Sequence, residues 1–115
     1  LIEVSEIRLR RAENLLEVTF SDGFFAALPA EFLRVESPSA EVQGHTPDQR
    51  QLVAGKRDVA ITQIEPTGNY AIRLVFSDGH NTGIFSWDYL HRLGREYPQR
   101  WAAYLKRLDE AGQVG

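Results

Sequence analysis

LLEVTFSDGFFAAL, residues 15–28, and AIRLVFSDGHNTGIF, residues 71–85, are the two stretches whose reading decides the fold. Both carry the phrase FSDG, at Phe20–Gly23 and again at Phe76–Gly79, 56 residues apart. Ahead of each phrase an alternating run, LLEVTF or AIRLVF, reads as a strand with one buried face. Behind each, FFAAL or HNTGIF supplies a returning strand. Asp-Gly suits the tight turn between them, because glycine tolerates positive φ and aspartate hydrogen-bonds the local backbone. Each copy is therefore expected to be a β-hairpin.

Outward from the hairpins the echo continues. PAEFLR (residues 29–34) and SWDYLHRL (residues 86–93) read as short helical turns, and a one-residue slip aligns Phe32-Leu33 with Tyr89-Leu90. Pro29 suits a first helical turn and Ser86 an N-cap. Val4–Leu9 and Val59–Ile64 supply one further edge strand to each unit. The tail from Pro98 to Ala111 has helical periodicity, with Trp101, Tyr104, Leu105 and Leu108 on an apolar stripe expected to cover the sheet. These elements predict an α+β fold: a small antiparallel β-rich domain of two degenerate hairpin and short-helix units with a C-terminal helix. At 115 residues, a single domain spanning residues 1–115 is expected. Ser37–Glu41 reads as a turn or short capped helix, and Gln43–Lys56 as a polar loop, either a partner-binding loop or a solvated connection.

Composition narrows the chemistry. Cysteine is absent, which removes disulfides, thiol nucleophiles and thiolate metal sites together. A formal charge of -3 gives no broad electropositive footprint for nucleic acid, and no segment is apolar for long enough to span a bilayer. A soluble cytoplasmic protein is expected. FSDG is neither GxGxxG nor GxxxxGK, so a nucleotide lacks its usual cradle. The serines at 21, 37, 39, 77 and 86 show no nucleophile elbow. No catalytic residue is assigned, and no enzymatic activity is expected.

Several residues remain as candidates for binding. His80 follows the second turn, with Asn81 and Thr82 beside it and Trp87 and Tyr89 a few residues on, so the group reads as the rim of a shallow aromatic pocket. Arg8 and Arg10 share one strand face, which suits an edge strand or a small acidic partner. The expected interaction surface is Arg8, Arg10, His45, His80, Asn81 and Trp87. Two alternatives stay open. One is a metal-dependent activity using His80, His91 and a nearby carboxylate, Asp78 or Asp88; the other is a small-molecule or nucleic-acid module using Trp87, Tyr89 and the arginines.

LRVESPSAEVQGH (residues 33–45) together with NYAIRLVFSDGHNTGIFSWDYLHRL (residues 69–93) resembles the gamma-butyrobetaine hydroxylase-like N-terminal domain, formerly DUF971. The resemblance runs from about Glu6 to Tyr104. It implies a small β-rich α+β domain of a kind found alone, fused to P-loop iron–sulfur carriers, or ahead of the catalytic domain of carnitine-synthesis dioxygenases. In those hydroxylases the comparable domain holds a zinc on three cysteines and one histidine. The histidine corresponds to His80, whereas the cysteine-bearing segment falls on Glu36–Val42, which has no thiolate. The resemblance therefore implies zinc or iron only through His80, and no cofactor is assigned. The dioxygenase iron triad lies in a domain this chain does not reach. What the resemblance implies functionally is an accessory, protein-interacting domain, with a P-loop iron–sulfur carrier as the implied partner.

Overall fold

A computed structural model describes residues 2–38 and 52–115. Its elements run β1 (Val4–Arg10), β2 (Leu15–Phe20), β3 (Phe25–Pro29), α1 (Ala30–Val35), β4 (Ile61–Thr67), β5 (Ala71–Phe76), β6 (Gly83–Ser86) and α2 (Trp87–Glu110). They form two antiparallel three-stranded sheets, ordered β1-β2-β3 and β4-β5-β6. This is the α+β fold with paired hairpin units and a C-terminal helix that the sequence predicts.

The duplication extends to single hydrogen bonds. In the first turn Gly23 N–H donates to Phe20 O at 2.9 Å, and in the second Gly79 N–H donates to Phe76 O at 3.0 Å. The two glycines have φ of 89° and 91°, the left-handed region that a Cβ disfavours. Asp22 and Asp78 accept the N–H two residues on, from Phe24 at 2.9 Å and His80 at 3.1 Å. Ser21 N–H donates to Glu3 O, and Ser77 N–H to Ala60 O. The serine hydroxyls close the same loops by accepting from Glu3 N–H and Ala60 N–H. Each first strand carries an irregularity near its start, between Val4 and Glu6 and between Ile61 and Gln63.

The core lies between the two units. Period-2 burial puts Leu16, Val18 and Phe20 of β2, and Ile72, Leu74 and Phe76 of β5, on buried faces. Phe32 and Leu33 of α1, Phe85 of β6, and Leu90 and Leu93 of α2 complete the same cluster. Each helix also grips the opposite unit. Arg34 of α1 binds Asp78 in the second turn at 2.9 Å, and His91 of α2 binds Asp22 in the first turn at 2.9 Å. Arg34 and His91 occupy equivalent positions once the one-residue slip is applied.

Three local expectations need correction. The short helix at residues 86–93 and the tail helix are one continuous α2, with Pro98 inside it. Proline there cannot donate to the carbonyl four residues earlier, but burial of Leu90 and Leu93 before it and of Tyr104 and Leu108 after it keeps the helix continuous. Leu105 is 47% exposed, so the buried stripe narrows to Trp101, Tyr104 and Leu108, packed with Val35, Val53 and Ala54 as a second small core instead of across a sheet. β4 begins at Ile61, two residues later than expected, because Val59 N–H closes a turn onto Lys56 O. Ser86 does cap α2, accepting Tyr89 N–H at 3.1 Å. Of the polar stretch after Ser37, residues 39–51 lie outside the described residues, and His45 with them. Among the described residues no helix is long and apolar enough to cross a membrane.

Candidate functional site

The second turn gathers most of the chemistry-bearing groups. The chain leaving α1 folds back under it: Glu36 N–H closes the helix onto Phe32 O at 3.0 Å, which carries Ser37 to the inner side of the turn. There the Ser37 hydroxyl meets His80 Nε2 at 2.9 Å. Both residues are buried, Ser37 completely. Asp78 takes the His80 backbone N–H on Oδ1, while its Oδ2 accepts Arg34 Nε at 2.9 Å and Lys56 Nζ at 2.6 Å. Burial alone raises the Asp78 carboxyl, but the bonds from Lys56, the His80 N–H and Arg34 outweigh it and hold the group well below the usual carboxylate range. Tyr89 OH donates to Glu36 O at 2.5 Å, and the buried Glu36 carboxylate pairs with Arg100.

A hydroxyl within hydrogen-bond reach of an imidazole is the spacing of an activated nucleophile. Here the pair is enclosed, so substrate has no approach to Ser37 Oγ. The expectation that His80 decorates an exposed rim is also corrected: His80 is 6% exposed, because a segment 43 residues earlier closes over the turn that in sequence reads as solvated.

His91 is built into the first turn. Its ring stands edge-on to Phe20 at 4.8 Å and tilted against Phe24 at 4.9 Å. Arg95 Nε, which can only donate, meets His91 Nδ1 at 3.0 Å. That fixes Nδ1 as the acceptor, so the proton sits on Nε2 and is donated to Asp22. The Phe24 N–H and then His91 lower the Asp22 carboxyl.

The metal-dependent alternative needs His80 and His91 to converge, whereas His80 lies in the second hairpin against Ser37 and His91 binds Asp22 of the first. Among the described residues no group of three histidine, cysteine, aspartate or glutamate side chains could hold a metal ion. Among the described residues a neutral serine hydroxyl faces His80 Nε2, which does not fit the thiolate zinc that the resemblance implies.

The remaining sequence candidates are scattered. Arg8 and Arg10 are exposed on β1 and pair with Glu6 at 3.4 Å and Glu17 at 3.0 Å. Asn81 is exposed on the second hairpin, its carbonyl accepting Arg73 Nη1 at 2.8 Å. Trp87 is half-buried and donates Nε1–H to Asn69 O at 2.9 Å. It lines a shallow pocket of about 130 Å³ with Ile2, Tyr70, Ser86 and Asp88. Tyr70, 58% exposed, and Ile2 were not singled out from the sequence; the signal for Tyr70 was its place beside Gly68-Asn69 in the turn before β5.

Comparison with known proteins agrees with this geometry. A solution NMR structure is similar over 97% of this chain and 88% of that chain, at 46% identity and a TM-score of 0.83. Another is similar over 99% and 85%, at 43% identity and a TM-score of 0.85. The crystal structure of a DUF971 protein of unknown function from Acidithiobacillus ferrooxidans covers 80% of this chain and 92% of that one, at 43% identity and a TM-score of 0.68. No curated protein matches the chain. The family model described as gamma-butyrobetaine hydroxylase-like, N-terminal, matches residues 7–91. With both hairpins, α1 and the start of α2 inside that span, the chain belongs to the gamma-butyrobetaine hydroxylase-like N-terminal family, DUF971.

Proposed function

We propose that this domain is non-catalytic and works as an accessory, docking onto a protein partner through the face around Tyr70 and Trp87. One observation carries the reading. The hydroxyl, imidazole and carboxylate groups suited to catalysis are built into the links between the two units, whereas an aromatic pair stands at the mouth of a shallow pocket. A shallow aromatic-lined patch fits recognition better than turnover, which needs reacting groups that touch substrate. Arg8 and Arg10 each face a glutamate, which supports a secondary contact there over a nucleic-acid platform.

The partner class is a P-loop iron–sulfur carrier, supported by the resemblance to domains fused to such carriers. Calorimetric titration of a purified carrier of that class with the domain tests the reading. Tyr70→Ala is expected to weaken binding by about tenfold or more, as loss of a central aromatic does. The double variant Arg8→Ala/Arg10→Ala is expected to alter mainly the salt dependence. No binding to the carrier refutes the partner; binding that is unchanged in Tyr70→Ala refutes the face.

A further inference from the structure

The duplication supplies an internal control. Whatever the hairpin-and-helix fold needs should occur in both units, and a feature found in one alone must have another reason. At the first turn every group is matched: Asp22 accepts from His91, and the other His91 nitrogen accepts from Arg95. Phe24 and Gly94 close the space that His80 and Ser37 fill in the second unit; a Cβ on Gly94 would lie 2.8 Å from Phe24 Cε2.

The second turn departs from this pattern in one direction. Two cations, Arg34 Nε and Lys56 Nζ, converge on the same oxygen of Asp78, so among the described residues this trio carries one positive charge in excess, whereas Asp22 in the first turn meets one cation, Arg95, across His91. Arg34 is 11% exposed, yet its Nη1 is enclosed without a hydrogen-bond acceptor among the described residues. A guanidinium nitrogen so placed is costly and calls for an acceptor. Lys56 and Asp78, at 23% and 21% exposure, form the side of the cluster open to solvent.

We propose that the Arg34–Lys56–Asp78 cluster binds a single oxyanion group, phosphate or carboxylate. The group would displace the Asp78 oxygen from one of its two cations, entering from the Lys56 side, and a turn of the guanidinium would bring it to the enclosed Nη1. Arginine and lysine on one oxyanion is a pairing of a planar fork with a compact point charge, and both bonds are charge-assisted. The proposal does not depend on the docking face around Tyr70.

Amide and arginine side-chain NMR spectra of the whole domain, titrated separately with inorganic phosphate and with acetate at constant ionic strength set by chloride, test it. A saturable, one-to-one shift centred on Arg34, Lys56 and Ser77–His80 is expected. Saturation by phosphate alone assigns the site to a free or esterified phosphate, and saturation by acetate to a carboxylate. Lys56→Gln, at a partly exposed position outside the core, is expected to weaken binding about tenfold or more. Asp78→Asn, which keeps an oxygen for the His80 N–H and removes the competing charge, is expected to tighten it. No saturable shift with either ion, binding unaffected by Lys56→Gln, or binding weakened by Asp78→Asn overturns the proposal.

Discussion

Gly83→Ala probes the link between the two units most directly. A Cβ at position 83 would lie 2.4 Å from Ser37 Oγ and 3.1 Å from Phe85 Cε1. The first contact is impossible without movement, and Ser37 has no free space because it is fully buried with its hydroxyl on His80. Either β6 shifts away from the end of α1, at an overpacking cost of roughly 1–3 kcal/mol, or Ser37 turns away from His80 and gives up a buried hydrogen bond, at roughly 1–3 kcal/mol. The cheaper response sets the cost, giving about 1–3 kcal/mol from a total that for domains of this size is about 5–15 kcal/mol. Urea unfolding followed by tryptophan fluorescence measures it. The sharper readout is the cycle with Ser37→Ala, which keeps the serine Cβ, 3.5 Å from the new methyl, and removes the oxygen that clashes. The two substitutions should therefore be non-additive by about 1 kcal/mol or more, the double variant being less unstable than the sum. Gly94→Ala, in α2 at the position equivalent to Ser37, meets Ala26 Cβ and Phe24 Cε2 at 2.8 Å with no hydrogen bond at stake, and should show no coupling to Ser37→Ala. Gly83→Ala within about 0.5 kcal/mol of the parent, or strict additivity, would mean that Ser37 is not seated against β6.

Four further outcomes follow from the same geometry. Asp22 and Asp78 have folded-state pKa values below their unfolded ones, so their stabilisation is complete above about pH 4 and is lost as pH falls toward the folded values; Asp78→Asn should flatten the acid side of the stability curve, and an unchanged slope would contradict the pairing. Nitrogen-15 shifts of the His91 ring should report the Nε2–H tautomer, whereas Nδ1–H would rule out the Arg95 contact. Tyr104→Phe removes the bond to Val53 O at 2.7 Å and should cost about 0.5–1.5 kcal/mol in urea unfolding, and ultraviolet titration should find the parent phenol pushed up to about 12 by burial and the nearby Glu31. Dialysis against EDTA should leave the urea midpoint unchanged, since Ser37 and His80 are joined directly; a lowered midpoint would show that a metal holds the turn.

The sequence makes legible what is local and periodic. FSDG places both turns, alternation in LLEVTF and AIRLVF identifies their buried faces, and Ser86 marks the start of α2, because turn chemistry, strand pleat and capping each act within a few residues. The misreadings share one cause. His80 follows a tight turn and so reads as solvated, but the group that buries it comes from Ser37; Arg34 reaches Asp78 over 44 positions, and His91 reaches Asp22 over 69. Pro98 reads as a helix start because local propensity penalises it inside a helix, and only burial on both sides of it overrides that penalty.

The repeat itself held information that local patterns did not. Aligned with the slip, Phe24 stands opposite His80, Gly94 opposite Ser37, and His91 opposite Arg34. Two units folded alike must fill equivalent space alike, so each mismatch between them identifies a position whose partner lies in the other unit. A phenyl ring against a glycine in one unit has become an imidazole against a hydroxyl in the other, and one turn has gained two cations on a single carboxylate. The hairpins alone would have tolerated the apolar version twice. That the second unit buries an imidazole and a hydroxyl at a desolvation cost, where a phenyl ring and a glycine fill the equivalent space in the first, is the physical reason to look for a ligand at the Arg34–Lys56–Asp78 turn.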